Sequence, residues 1–241
     1  MEENKTVTSF KGFTAEFKCR GMQYEVGATY THEGKVKACD SGFHACENPL
    51  DVWNYYGPAE SRFAVVEQSG ELSRHGDDSK IASAKITITA ELALGEYVKR
   101  AVQWVIDRCA QDAGSDERVQ SASGYYAQLA ASGNSAQLAA SGNYAELAAS
   151  GYSAQLAASG YYAKLAASGN SAQLAASGED SVIASSSYAA TAKGADGTWI
   201  ALAEFDGNAK CIGFAVGCVG KDGIKADTWY CAKGGKLEEV K

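Results

Sequence analysis

The sequence predicts a composite fold: an α+β N-terminal domain, then a parallel β-solenoid of 18-residue coils built from two 9-residue repeats in two sheets, then a C-terminal β-meander cap. Three observations predict it. Gly124, Gly133, Gly142, Gly151, Gly160, Gly169 and Gly178 recur at a spacing of 9 without a slip, and Leu129 to Leu174 keep the same beat, which marks a solenoid. The residue before each repeating Ala alternates strictly: Tyr126, Ser135, Tyr144, Ser153, Tyr162, Ser171. Strand-like alternation precedes the repeats, and turn dipeptides follow them.

In the first domain, residues 1–95, Lys85–Leu92 sets Ile86, Ile88, Ala90 and Leu92 against Lys85, Thr87, Thr89 and Glu91, the pattern of a half-buried strand. Arg62–Gln68 and Gln23–His32 are also strand-like. Asn48-Pro49-Leu50-Asp51 carries the chemistry of a helix start: an N-cap amide, proline at the first helical position and an acid in the first turn. That helix is expected to stop before Gly57-Pro58. Residues 96–114 form a connecting helix with Val98, Ala101, Val102, Val105, Ile106 and Cys109 on one stripe, ended by Gly114.

The repeats at 115–195 read S-G-x-x-A-x-L-A-A. A long helix would carry a glycine every 9 residues, each costing roughly 1 kcal/mol against alanine, and successive leucines would fall on opposite sides. As strands, Ala and Leu point inward, the x positions point outward, and Ser-Gly makes the corner with glycine free to take positive φ. The Tyr/Ser alternation then sets two arms per coil and about four coils in all. One sheet carries Tyr126/Gln128, Tyr144/Glu146 and Tyr162/Lys164. The other carries Ser135/Gln137, Ser153/Gln155 and Ser171/Gln173. The tyrosines are expected to stack as a ladder, with Glu146 and Lys164 as neighbours of opposite charge. The helix is placed to cover the first coil. Residues 196–241 close the far end as a meander: Trp199–Phe205, Ile212–Val219 and Thr228–Val240, with turns at Asp206-Gly207, Asp222-Gly223 and Gly234-Gly235.

Composition bounds the function. With 241 residues and 46% hydrophobic content, the chain can fill a core. A net charge of −7 and a pI near 5.1 argue against gripping phosphate backbones by charge. No signal-like start and no 18-residue apolar run are present, so neither secretion nor a membrane span is expected. Seven unevenly spaced cysteines suit reduced thiols in a cytoplasm.

Candidate chemical sites are weak. Cys39, His44 and Cys46, with Cys19 as a possible fourth, do not have zinc-knuckle spacing, and they read as buried thiols beside a hydrogen-bonded histidine. His75–Lys80 reads as a solvated loop. The repeat corners lack the carboxylates calcium requires, and only Glu146 and Lys164 are charged between Ser121 and Gly178, so the sheets are no phosphate mimic. No cofactor, metal or catalytic residue is expected, and the protein reads as a non-enzyme.

Phe10–Phe13, Cys19–Gly27 and Gly42–Asp51, with the Ser-Gly-Ala repeats and Ala203-Glu204-Phe205, resemble an uncharacterised family common in bacteriophage and prophage genomes. The resemblance covers nearly the whole chain. It implies a phage protein in the cytoplasm of an infected bacterium that binds a host protein complex, as an inhibitor of a defence system in the manner of anti-CRISPR proteins.

The outer rows of Tyr, Ser, Asn, Gln and Gly have the composition of adaptable protein-binding surfaces. Tyr125, Tyr126, Tyr144, Tyr152, Tyr161 and Tyr162, with Glu146 and Lys164, are the expected contacts. Alternatively, the tyrosines only shield a thin alanine-rich core. A second reading is structural: Ser135, Gln137, Ser153, Gln155, Ser171 and Gln173 form a flat sheet able to pair with itself as a homodimer, or the solenoid is a spacer presenting the first domain. A third is stacking of single-stranded nucleic acid on the Tyr ladder, which the negative charge opposes.

Overall fold

The computed structural model describes residues 6–74, 79–112 and 119–240, and only the backbone of residues 106 and 108–112. His75–Asp78 and Gly114, named above, lie outside the described residues. The chain divides between Tyr97 and Val98 into two units.

The first unit runs β1 (Val7–Phe13), β2 (Lys18–Cys19), β3 (Met22–Gln23), β4 (Thr29–Thr31), β5 (Phe43–Cys46), α1 (Pro49–Val52), β6 (Arg62–Arg74) and β7 (Lys80–Leu92), and ends in the first turn of α2 (Leu94–Asp112). The strand expected over Gln23–His32 is broken, because Gly27 turns the chain at positive φ. β6 and β7 are a long hairpin, and β1 pairs with both β6 and β5 while β5 pairs with β7. The pairings therefore close on themselves: β1, β6, β7, β5, β1. Ile86 and Ile88 turn inward from β7 onto Phe13, Phe17, Tyr24 and Val66, as the alternation predicts. A buried amide ties the strands together: Gln68 accepts from Ser9 Oγ at 2.7 Å and donates to the Ile81 carbonyl at 3.0 Å. Asn48 caps α1 by accepting from the Leu50 N–H at 3.0 Å, and Asp51 accepts from Ser79 Oγ at 2.6 Å. Tyr97, fully buried, closes a cluster with Phe10, Trp53 and Phe63 and donates to the Pro49 carbonyl at 2.7 Å.

The second unit is the solenoid and its cap. One wall is β8 (Val119–Ala122), β10 (Gln137–Ala140), β12 (Gln155–Ala158), β14 (Gln173–Ala176) and β16 (Thr191–Gly194). The other is β9 (Gln128–Ala131), β11 (Glu146–Ala149), β13 (Lys164–Ala167), β15 (Val182–Ser185) and β17 (Trp199–Phe205). All pairings within a wall are parallel and fall one 18-residue coil apart through the repeats, as in Leu147↔Leu165 and Gln137↔Gln155. Leu138, Leu147, Leu156, Leu165 and Leu174 interleave with alanines inside. The coils number about five over residues 119–202, one more than the repeat letters suggest. Val119–Ala122, Thr191–Gly194 and Trp199–Leu202 pair as rungs without the repeat sequence, because a parallel ladder needs backbone register and inward apolar residues such as Ala192 and Ile200, not a motif.

The corners differ from the sequence reading in an instructive way. Of the seven repeat glycines only Gly169 has positive φ. The left-handed residues are Tyr126, Ser135, Tyr144, Ser153, Tyr162 and Ser171, at φ 54–60°. Glycine is required for a different reason: a Cβ on Gly142, Gly151, Gly160 or Gly178 would lie 2.0–2.1 Å from the glycine carbonyl oxygen of the coil before it. The coils touch backbone to backbone there.

β17 is both the last parallel rung and the first meander strand, pairing antiparallel with β18 (Cys211–Cys218). β19 (Tyr230–Lys233) pairs antiparallel with β16, and β20 (Lys236–Glu239) with β19. Reversing direction on both walls covers the open edges of the last coil, the far-end closure that the turn dipeptides predict. Glu204 fixes the final hairpin by accepting from the Gly234 and Gly235 N–H groups, each at 2.7 Å.

Candidate functional site

The solenoid's two corner rows present different surfaces. The corner leading into the β9–β17 wall carries Tyr125 and Tyr126, Asn143 and Tyr144, Tyr161 and Tyr162, then Glu179 and Asp180. Tyr126, Tyr144 and Tyr162 form the ladder the alternation predicts: ring centroids are 5.1 and 5.2 Å apart, with planes within 17° and 11° of parallel. Their backbone N–H groups also bind the next coil, as in Tyr144 to the Tyr161 carbonyl at 2.9 Å. Asn143 Oδ1 accepts from the Tyr161 N–H at 3.0 Å, so the residues between the ladder rungs are tied as well. Tyr125 is 70% exposed, Tyr161 50%, Tyr126 49% and Tyr162 40%. Tyr144, between its two partners, is half-buried. Tyr152 is exposed on the other corner row, in register with Asn170 and Tyr188. Five of the six expected tyrosines thus share one edge.

Glu146 and Lys164 are neighbours in the ladder and pair at 3.1 Å, with Gln128 donating to Glu146 at 3.3 Å. Both charged residues are buried, at 7% and 8% exposure, and so add little accessible surface. On the opposite wall Gln137, Gln155 and Gln173 are exposed, with Ala139, Ala157, Ser141, Ser159 and Ser177 exposed around them. Ser135, Ser153 and Ser171 are not on that flat face; they occupy the left-handed corner beside it.

In the first unit, Cys19, Cys39, His44 and Cys46 line one cavity of about 360 Å³. Among the described residues no three His, Cys, Asp or Glu are arranged to hold a metal ion. His44 is hydrogen-bonded, its Nε2 accepting from the Cys39 N–H at 3.1 Å. Burial and the nearby Arg20, Lys11 and Lys80 charges disfavour its protonation. Cys46 is buried, but Cys39 is exposed at positive φ, unlike the buried thiol expected there. Cys19, Cys39, Cys46, Cys211, Cys218 and Cys231 are free thiols.

The same cavity is also lined by three cations, Lys11, Arg20 and Lys80. Lys11 is only 5% exposed. Its Nζ donates to the His44 carbonyl at 2.8 Å and to Cys19 Sγ at 3.4 Å, and lies 5.6 and 5.7 Å from the centroids of Phe13 and Tyr24. Burial pulls its pKa below the ordinary lysine value, against the thiols. The signal was present in β1, where Lys11 keeps period-two register with the buried Val7, Ser9 and Phe13.

Together these features define a small closed sheet domain with a cationic cavity and a capped two-walled solenoid with a tyrosine-lined edge. Residues 7–100 match the model of a family described as a domain of unknown function, DUF7666. That match carries the Phe10–Phe13, Cys19–Gly27 and Gly42–Asp51 motifs and stops before the repeats. No curated protein and no solved structure matches the chain. Among the described residues no helix is long and apolar enough to cross a membrane.

Proposed function

We propose that the protein is a non-enzymatic binding module whose recognition surface is the tyrosine edge of the solenoid. The observation that carries this reading is the single row of exposed rings at Tyr125, Tyr126, Tyr161 and Tyr162. Tyrosine gives large contact area for few rotatable bonds, and the stacked rings are already ordered before any partner arrives. Glu146 and Lys164 beside the ladder are buried and paired, and the exposed charges that continue its row, Glu179 and Asp180, are acidic, which suits a protein partner over nucleic acid. The resemblance to phage families directs the search to bacterial host complexes, defence assemblies first, with the protein acting as an inhibitor in the infected cell's cytoplasm. The test is affinity capture from bacterial lysate with the wild type and a Tyr125→Ser/Tyr161→Ser double variant. A partner captured by the wild type and lost by the variant is the expected result; equal recovery of the same proteins rejects this edge.

A second reading, self-association through the Gln/Ser wall, is favoured by the exposed row of Gln137, Ala139, Gln155 and Ala157. Small residues of this wall, Ala139, Ala157 and Ser159 among them, line a groove of about 570 Å³ and permit close approach of a second copy. Ala157→Arg places a charge at its centre, and a shift from dimer to monomer mass would support it.

A further inference from the structure

We infer that the cavity of the first unit is a binding site for a small planar molecule bearing an oxyanion, a phosphate or a carboxylate, held between the Lys11 ammonium and the Arg20 guanidinium. Its volume of about 360 Å³ lies in the range of small-ligand pockets. Its lining contains Lys11, Arg20 and Lys80 and no carboxylate. Arg20 is exposed at the lining in a left-handed backbone conformation, with no ion pair to a carboxylate among the described residues.

A lysine removed from water is costly unless its charge is met. Here a carbonyl, a thiol and two aromatic faces meet it, and none of these is a fixed anion. The charges of Arg20, Lys11 and Lys80 all reach His44, and Arg20 also acts on Lys11. Clustered like charges walled by protein focus a positive potential on the space between them. An entering anion answers Lys11 and Arg20 together.

The planar part follows from Gly12 and Tyr56. A Cβ on Gly12 would lie 2.5 Å from Tyr56 Cγ, so only glycine lets that ring lie against β1 as a wall of the cavity. Tyr55 lines the same space and accepts a hydrogen bond from Lys80 Nζ at 2.8 Å. Aromatic walls beside cationic heads suit a ring carrying the anion.

The test is isothermal titration calorimetry of the full chain at low salt, with phenyl phosphate in one arm and benzoate in the other. One saturable site per chain for at least one probe is expected, and the tighter arm identifies the anion. Arg20→Gln, an exposed change that leaves the core intact, should weaken that probe about tenfold, or 1.4 kcal/mol. Lys11→Met should abolish binding where circular dichroism shows a folded chain. Absence of saturable binding in both arms overturns the proposal, as does an affinity unchanged in Arg20→Gln. Binding that appears only in Cys19→Ser also overturns it, by showing that the Cys19 side chain fills the anion's position.

Discussion

A Cβ on Gly160 would lie 2.1 Å from the carbonyl oxygen of Gly142, one coil below, whereas a Cβ on Gly124 in the first coil would meet nothing within 4 Å. The same letter in the same repeat is therefore under opposite constraints. Gly160→Ala should force the coils apart and cost about 3 kcal/mol, the upper range for overpacking. Gly124→Ala should be neutral or slightly stabilising through the unfolded chain. Urea midpoints of the two variants check this; equal midpoints would mean that the coils do not stack through their glycines.

Ser153 holds φ 54° without being glycine or asparagine, a conformation that costs a non-glycine residue on the order of 1 kcal/mol. Its N–H donates to the Asn170 carbonyl at 2.8 Å, so the strain is held by the inter-coil ladder. Asparagine accepts this region more readily. Ser153→Asn should raise the thermal midpoint, and Ser153→Val, with a branched Cβ, should lower it by more.

The period, the two walls and the tyrosine ladder were legible because they are side-chain patterns: Leu147 and Leu165 announce their own register. The corner chemistry was not. Positive φ defaults to glycine in any single-residue argument, and the demand on Gly160 comes from a backbone atom 18 residues away, Gly142 O. The sequence shows fewer coils because Val119–Ala122 and Thr191–Gly194 pair as rungs without the repeat motif. The cavity in the first unit was hidden for a related reason. Lys11, Arg20 and His44 belong to three separate stretches, which the β1–β5 pairing and the Lys11–Cys19 contact bring to one cavity.

The Glu146–Lys164 pair is buried on both sides, at 10% and 11% side-chain exposure. Removing one partner of such a pair strands a charge, at a cost of about 3–5 kcal/mol, while removing both is often near neutral. Lys164→Met should therefore destabilise the solenoid strongly, and Glu146→Gln/Lys164→Met should recover most of the loss. A double-mutant cycle in urea measures the coupling; additive effects would show that the two charges do not depend on each other.

Tyr24 gives the first unit an alkaline limit. Burial, helped by the negative charge available to Cys19 and Tyr30, pushes its hydroxyl from 10.0 up to about 12. In the unfolded chain it ionises near 10, while in the folded chain it resists. The unfolded state therefore gives up its proton first, and stability, full below pH about 10, drains away as pH climbs towards about 12. Lys11, beside the Tyr24 ring, acts in the opposite sense because burial disfavours its charged form. Tyr56 and Tyr97, whose hydroxyls burial also pushes up, act in the same sense as Tyr24, and Tyr24→Phe isolates the Tyr24 share. Urea midpoints followed by circular dichroism from pH 9 to 12 should fall more steeply in the wild type than in Tyr24→Phe; parallel curves would show that Tyr24 ionises in the folded protein as freely as in the unfolded chain.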